Sequence, residues 1–363
     1  MYMAADAFLN QKPIYGVAFG LETGFYKYSP FTMLLFVPYN LVPFEVASII
    51  HFIIIGITAI FTIILLEKIV SQHFQPKRKK HVLSLFALLV CIINHLVREL
   101  HLGNVNMILI SLLCLTVYLT LNNRFLIAGV LLSLVILTKP YFLIAVMPLL
   151  VGKKFKVVYS TVVSTVIFVL ISGIVIGIEN SSNLYKEWFA AMMEHNSYLT
   201  SSETIFSLAQ TYFGITIPNN YGVYLLALIP IASSFLFTIK GGYFSKDALP
   251  KDDILNQHFI LHFFLLMAIV PSILITDTEH FLLSLPLIAI LLFHLPKKSY
   301  LNLFLFIILM ILYGGNSSDL LGKELANNFT TWGVLGISNL IIVGMILVQF
   351  IKRSDYQSSS SDN

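Results

Sequence analysis

Arg98, Glu99 and His101, followed by Asn104 and Asn106, make a polar knot in the stretch RELHLGNVN, between two apolar runs. Three other places gather groups of similar kind. Lys139 stands before Pro140 in TKP; Asp277, Glu279 and His280 stand in TDTEHF; Tyr26, Lys27 and Tyr28 stand in YKYSP. Guanidinium and ammonium groups hold anions, carboxylates and imidazoles move protons, and amides orient hydroxyls. Each group also has a plain structural use. Arg98 and Glu99 could form an ion pair at an interface, Lys139 could reach for water from a helix end, and His280 could be an ordinary interfacial histidine. The two asparagines could link helices by hydrogen bonds. The elements that carry these residues decide between the two kinds of use.

Of the 363 residues, 57% are hydrophobic and only 11% are charged, and the mean hydropathy is +0.86. A soluble domain has about 25% charged residues, so this chain cannot cover a water-facing surface. The composition predicts an all-α polytopic membrane protein. The net charge of +4 gives no sign of a nucleic-acid partner; membrane lipids are the expected surroundings. Cys91 and Cys114 both fall inside apolar runs, without metal or redox spacing. His258 and His262 lie four apart, with no acid or third histidine beside them, so no metal site is expected there.

Eleven apolar runs mark the spans, at about 44–70, 82–98, 103–122, 125–138, 140–151, 157–178, 221–239, 254–275, 281–295, 299–315 and 332–351. They predict one integral membrane domain over 1–351, with 352–363 a disordered cytoplasmic tail. The run 31–42 carries a proline and is too short to cross, which fits a re-entrant or interfacial piece. Proline at 140 breaks the pair 125–138 and 140–151 into two half-length helices that meet at Lys139.

Charge sets the orientation. Alternate connections beginning with QPKRKKH, together with Glu67, Lys68 and the tail, hold 16 of the 22 Lys and Arg and 6 of the 18 acids. That bias places these connections inside and all four polar clusters on the extracytoplasmic face of the plasma membrane. Residues 1–30 then lie outside with no signal-like segment before them, so a membrane-crossing segment ahead of Met1 is expected. On the same face, residues 179–220 suit an interfacial helix with Leu184, Trp188, Met192 and Met193 near one stripe, then a second piece capped by Ser201 or Ser202.

The ordered series ADAFLNQKPIYG, YKYSPFTMLLFVPYNLVP, LGNVNMILISLL, IAGVLLSLVILTKPYFLIAVMPLLVGKKFK and ITDTEHFLLSLPLIAILL resembles glycosyltransferase family 87 over most of residues 4–295. GNVN followed by AG…TKP is its strongest part; the family has a glutamine where this chain has Asn104. The resemblance implies the C-type glycosyltransferase membrane fold. It implies transfer of a hexose, mannose-like, from a polyprenyl-phosphate donor to a membrane-associated glycan or glycolipid acceptor, with inversion. The donor lipid is then a substrate; no cofactor is expected, and whether a divalent metal takes part stays open. The leaving polyprenyl phosphate would be met by Arg98, Lys139 and His280, with His101 behind them. Asn104 and Asn106 would orient a sugar hydroxyl or phosphate oxygen; Tyr28, Glu99, Asp277 and Glu279 would play secondary parts. The family's catalytic acid matches a position ahead of Met1, and Asp6 and Glu22 are nearby acids that do not match the motif. A transporter or flippase is the competing reading, since broken helices with a lysine also suit transport; no internal repeat supports it.

Overall fold

In the computed structural model, residues 1–19, 25–74, 82–194, 201–218, 220–240, 252–274, 276–294 and 300–361 are described, and every regular element among them is helical. Glu22 and the basic loop QPKRKKH lie outside the described residues. All eleven apolar runs are helical. The long ones are α3 (Phe44–His73), α4 (Val82–Leu102), α8 (Phe155–Ile176), α11 (Tyr221–Lys240), α12 (Asp252–Ile273) and α17 (Val334–Ser361). Each contains a stretch long and apolar enough to cross a membrane. The chain is an all-α polytopic membrane protein.

The shorter runs give α5 (Asn106–Leu121), α6 (Phe125–Thr138), α13 (Leu285–His294) and α14 (Tyr300–Gly314). The run after Lys139 divides into a 3-10 turn, Pro140–Ala145, and α7 (Val146–Val151). The 31–42 run is α2 (Pro30–Phe36) followed by a second 3-10 turn, Val37–Leu41. Before it stands α1 (Tyr2–Leu9), whose Tyr2 hydroxyl donates to the Val42 carbonyl at 3.1 Å.

Burial sorts the helices. In α12, 72% of the spanning window is buried, against 22% in α8. A helix apolar all round is a central post when neighbours cover it, and a lipid-facing wall when they do not. Phe259, Phe263, Phe264 and Met267 of α12 are buried, whereas Val162, Val166, Leu170 and Ile174 of α8 are more than half exposed.

Between membrane helices, close packing and shared hydrogen bonds replace the hydrophobic drive. The α6–α8 contact shows both. A Cβ on Gly129 would come within 2.4 Å of the Ser160 Cβ and 2.7 Å of the Thr161 backbone nitrogen. Ser160 donates to the Leu126 carbonyl at 2.8 Å, and Ser133 and Thr165 share a hydrogen bond of 2.9 Å. This is the physical content of the AG in the AG…TKP motif: it lets α6 lie flat on α8 and so fixes where Lys139 emerges.

The segment around 179–220 forms α9 (Ile178–Glu194) and α10 (Ile205–Phe213). In α9, Ser181, Leu184, Tyr185, Trp188 and Met192 turn inward, while Met193, which the sequence reading set on that stripe, is exposed. The cap of α10 is Thr204, not Ser201 or Ser202: its hydroxyl accepts from the Ser207 N–H at 3.2 Å. α15 (Ser318–Leu321) and α16 (Lys323–Thr331) lead into α17. That last helix runs on to Ser361, past the apolar run and through the stretch whose composition suggested a disordered tail. No proline or glycine follows Ile351 to stop it, and each added residue continues an existing ladder.

Gly129→Ala is expected to lower the thermal midpoint in detergent by the equivalent of about 1–3 kcal/mol, the usual cost of overpacking. Gly173→Ala on α8, where nothing stands within 4 Å, serves as the control and leaves the midpoint unchanged or slightly higher. Equal effects would mean that α6 and α8 are not in this close contact.

Candidate functional site

Three helix ends, a 3-10 turn and one extended segment meet at one end of the bundle: the C-terminus of α4, the N-terminus of α5, the C-terminus of α6, the turn Thr278–Ser284, and residues 25–29 ahead of α2. The first joint is the turn between α4 and α5. Gly103 takes φ +62°, a left-handed conformation that side chains with a Cβ rarely adopt. His51 of α3 clamps this turn, its Nε2–H donating to the Gly103 carbonyl at 3.0 Å and the Asn104 carbonyl at 3.3 Å. The Tyr39 hydroxyl satisfies its Nδ1 at 3.0 Å.

The turn folds Glu99 back over the start of α5. Its carboxylate is fully buried and accepts from the Met107 backbone N–H and from the Asn106 side-chain amide, both at 2.9 Å. A carboxylate at a helix N-terminus meets unpaired N–H groups and the positive end of the helix dipole. Asn106 in turn presents its carbonyl oxygen to Lys139 Nζ at 2.6 Å. Lys139 also donates to His280 Nε2 at 2.7 Å, and His280 Nδ1–H points to the Asp277 carbonyl, 3.2 Å away. His280 therefore serves as a neutral acceptor that aims the lysine. The sequence reading counted it among the cations; the backbone carbonyl at Nδ1 fixes the other tautomer role.

A second thread runs beside the first. Arg98 Nε donates to Glu279 at 3.1 Å, and Asn104 Nδ2 donates to the other oxygen of the same carboxylate at 2.7 Å. Arg98 and Glu99 are thus not partners of each other, because adjacent residues on a helix point to different sides. Arg98 reaches a partner 181 positions away. Its side chain is half exposed, whereas that of Glu279 is fully buried. Asn104 and Asn106, with buried Val105 between them, serve the two threads separately.

YKYSP is stitched to TKP. Ser29 caps α2 by accepting from the Thr32 N–H at 3.3 Å, and Thr32 and Thr138 share a hydroxyl contact of 3.3 Å, one residue ahead of Lys139. The two carbonyls just ahead of Ser29 are tied down as well: Trp188 Nε1–H donates to that of Lys27 at 2.9 Å and the Tyr15 hydroxyl to that of Tyr28 at 2.8 Å. Burial raises the Tyr28 phenol above its usual pKa, and the carboxylates of Glu99, Glu279 and Asp277 push it the same way. Burial lowers the Lys27 ammonium, with Asp277 acting against that shift. Tyr141, which the sequence reading passed over, buries a hydroxyl that has no hydrogen-bond partner among the described residues. Lys139 Nζ stands 5.8 Å from the centre of its ring.

Two of the sequence candidates stand apart. His101 is exposed, and among the described residues no hydrogen bond or ion pair joins it to the cluster. Asp6 is exposed on α1 and its carboxylate accepts from Asn10 at 3.1 Å. A ligand atom from each of Asp277, Glu279 and His280 falls within 4.8 Å of the other two, a spacing that a cation could use. Here, however, Glu279 is engaged by Arg98 and Asn104, and His280 Nε2 faces the Lys139 ammonium. A divalent ion would have to displace resident donors, so the donor set fits it poorly.

Removing Glu99 strands the Met107 N–H and the Asn106 amide and leaves the Lys139 charge in low dielectric. Glu99→Ala is expected to cost about 3–5 kcal/mol, as breaking a buried charge network does. In the double variant Glu99→Ala, Lys139→Met much of that loss is recovered. Strict additivity of the two single effects in thermal unfolding would separate Glu99 from Lys139.

The model of one family, Glycosyltransferase family 87, matches residues 25–240, which is more than half of the 363-residue chain. No curated protein and no solved structure matches. The matched span contains YKYSP, Arg98, Glu99, both asparagines and Lys139; the fold adds Asp277, Glu279 and His280 from beyond it. The helical, lipid-facing fold agrees with that match, and the chain belongs to glycosyltransferase family 87 as a membrane glycosyltransferase.

Proposed function

We propose that the chain transfers a hexose from a polyprenyl-phosphate donor to a membrane-associated glycan or glycolipid acceptor, with inversion, on the extracytoplasmic face of the plasma membrane. In this reading the bond from the anomeric carbon to the phosphate oxygen breaks as an acceptor hydroxyl attacks from the opposite side. Negative charge then gathers on the leaving phosphate. Cations fixed beforehand at that spot stabilise the transition state more than the ground state.

The observation that carries the reading is the meeting of Arg98 and Lys139 at one end of the bundle. Among the described residues Arg98 meets Glu279 through Nε, and its side chain is half exposed, which leaves the Nη groups for phosphate oxygens in this reading. Lys139 is aimed by Asn106 and His280, with Glu99 behind Asn106 keeping the net charge low until the donor arrives. Charge neutralisation by these two side chains gives the reaction as drawn no need for a divalent metal. Lys68 and Arg124 stand at the ends of α3 and α6 away from the cluster, and the sequence puts the other basic connections in alternation with the polar ones, which supports an extracytoplasmic site and a cytoplasmic C-terminus.

The test is acceptor-dependent sugar transfer by purified protein in proteoliposomes supplied with labelled polyprenyl-phosphate hexoses. Arg98→Ala and Lys139→Ala are each expected to lower kcat about 100-fold or more, the scale for losing one preorganised charge-stabilising group. Both variants should still insert and elute as folded protein. Full turnover in both would remove the proposed site.

A further inference from the structure

A cleft of about 710 Å³, lined by Arg98 but not by Lys139, opens between residues 201–204, α10, the Thr276–Thr278 segment and the end of α16. Its size lies within the range of about 300–1,000 Å³ common for small-ligand pockets, but those are mostly apolar. This one is not. Of its fifteen lining residues nine are serine or threonine, Gln210 adds an amide, and two, Phe206 and Ile217, are apolar.

Glu203 lies in its wall, 3% exposed. One carboxylate oxygen accepts from the Gly336 N–H at 2.7 Å, in the first turn of α17. The other, Oε1, is buried and has no hydrogen-bond partner among the described residues; the same holds for the hydroxyl of Thr276, which also lines the cleft. A buried carboxylate oxygen left without a donor costs stability, and such atoms in a cleft mark where a ligand donor fits. The surrounding chain is built to hold Glu203 there. A Cβ on Gly336 would lie 2.1 Å from the Glu203 carbonyl oxygen, and one on Gly333, at φ +62°, would lie 2.6 Å from that of Ser202. Only two glycines let the start of α17 touch this backbone. Burial also pushes the Glu203 carboxyl up to about 7, so near neutral pH it can donate to a hydroxyl as well as accept from one.

We propose that this cleft binds the carbohydrate portion of the acceptor, with Glu203 Oε1 taking a sugar hydroxyl. The proposal rests on the sugar-transfer reading above. A prenyl chain needs walls of large apolar side chains, and only Phe206 and Ile217 are of that kind here; an array of sugar hydroxyls needs the donors and acceptors that the serines, threonines, Gln210 and Glu203 supply. Arg98 lines the cleft and also meets Glu279, so an acceptor sugar here ends where the donor phosphate would lie.

The experiment uses the full chain in phosphatidylglycerol–phosphatidylethanolamine nanodiscs. Saturation-transfer NMR is recorded with methyl α-mannoside, methyl β-glucoside and maltose, with cyclohexanol as the comparator that lacks the hydroxyl array. Farnesyl phosphate binding is measured separately. A saturable signal for at least one sugar and none for cyclohexanol is expected. Glu203→Gln keeps an oxygen for the Gly336 N–H but loses the charge; it should weaken the sugar at least tenfold and leave farnesyl phosphate binding unchanged. Gln210→Ala, at an exposed position, provides a second variant should Glu203→Gln not fold, with the same direction expected. Sugar binding that is absent, or unchanged in the folded variants, overturns the cleft proposal while Lys139-dependent farnesyl phosphate binding keeps the reading above. Loss of farnesyl phosphate binding alone, with the sugar result intact, would instead strike the donor site.

Discussion

The Glu99 carboxylate is the hinge of this structure. It lies fully buried at the end of one membrane helix and closes the start of the next. A charge in that position is tolerated only because two N–H donors and a helix N-terminus face it. Everything polar nearby follows from that arrangement. Asn106 must turn its amide nitrogen to Glu99, so its oxygen turns to Lys139. Lys139 then stands where His280 can accept from it. A different residue at 99 would change the aim of groups that it never touches.

Much of this was legible in the sequence. Hydropathy gave eleven helical runs because lipid requires backbone hydrogen bonds to close within each segment. The break at Lys139 was legible because Pro140 supplies no backbone donor; the structure puts Lys139 in an extended conformation there, between two helices. The clusters around 98, 139 and 280 could be named from residue type and placement at span ends.

The pairing among them could not be read that way. Arg98 with Glu279 is a contact across 181 positions, and nothing local distinguishes it from the neighbouring Glu99. The neutral role of His280 depends on a carbonyl whose direction only the 3-10 turn sets. Glu203 sits in SSETIF and reads as the first turn of a helix; its burial comes from Gly333 and Gly336, more than a hundred residues later. His51 stands in an apolar run with nothing local to mark it, yet it clamps the very turn that carries Asn104.

The whole functional reading depends on which aqueous compartment the ionic cluster faces. His101 is exposed on the last turn of α4, one turn from Arg98, and the native Cys91 and Cys114 are buried. A single added thiol, His101→Cys, therefore reports on that face with little background. In intact cells a membrane-impermeant maleimide should modify it from outside, and a short polyprenyl phosphate should slow the modification. Modification only after the cytosolic side is opened would contradict the account.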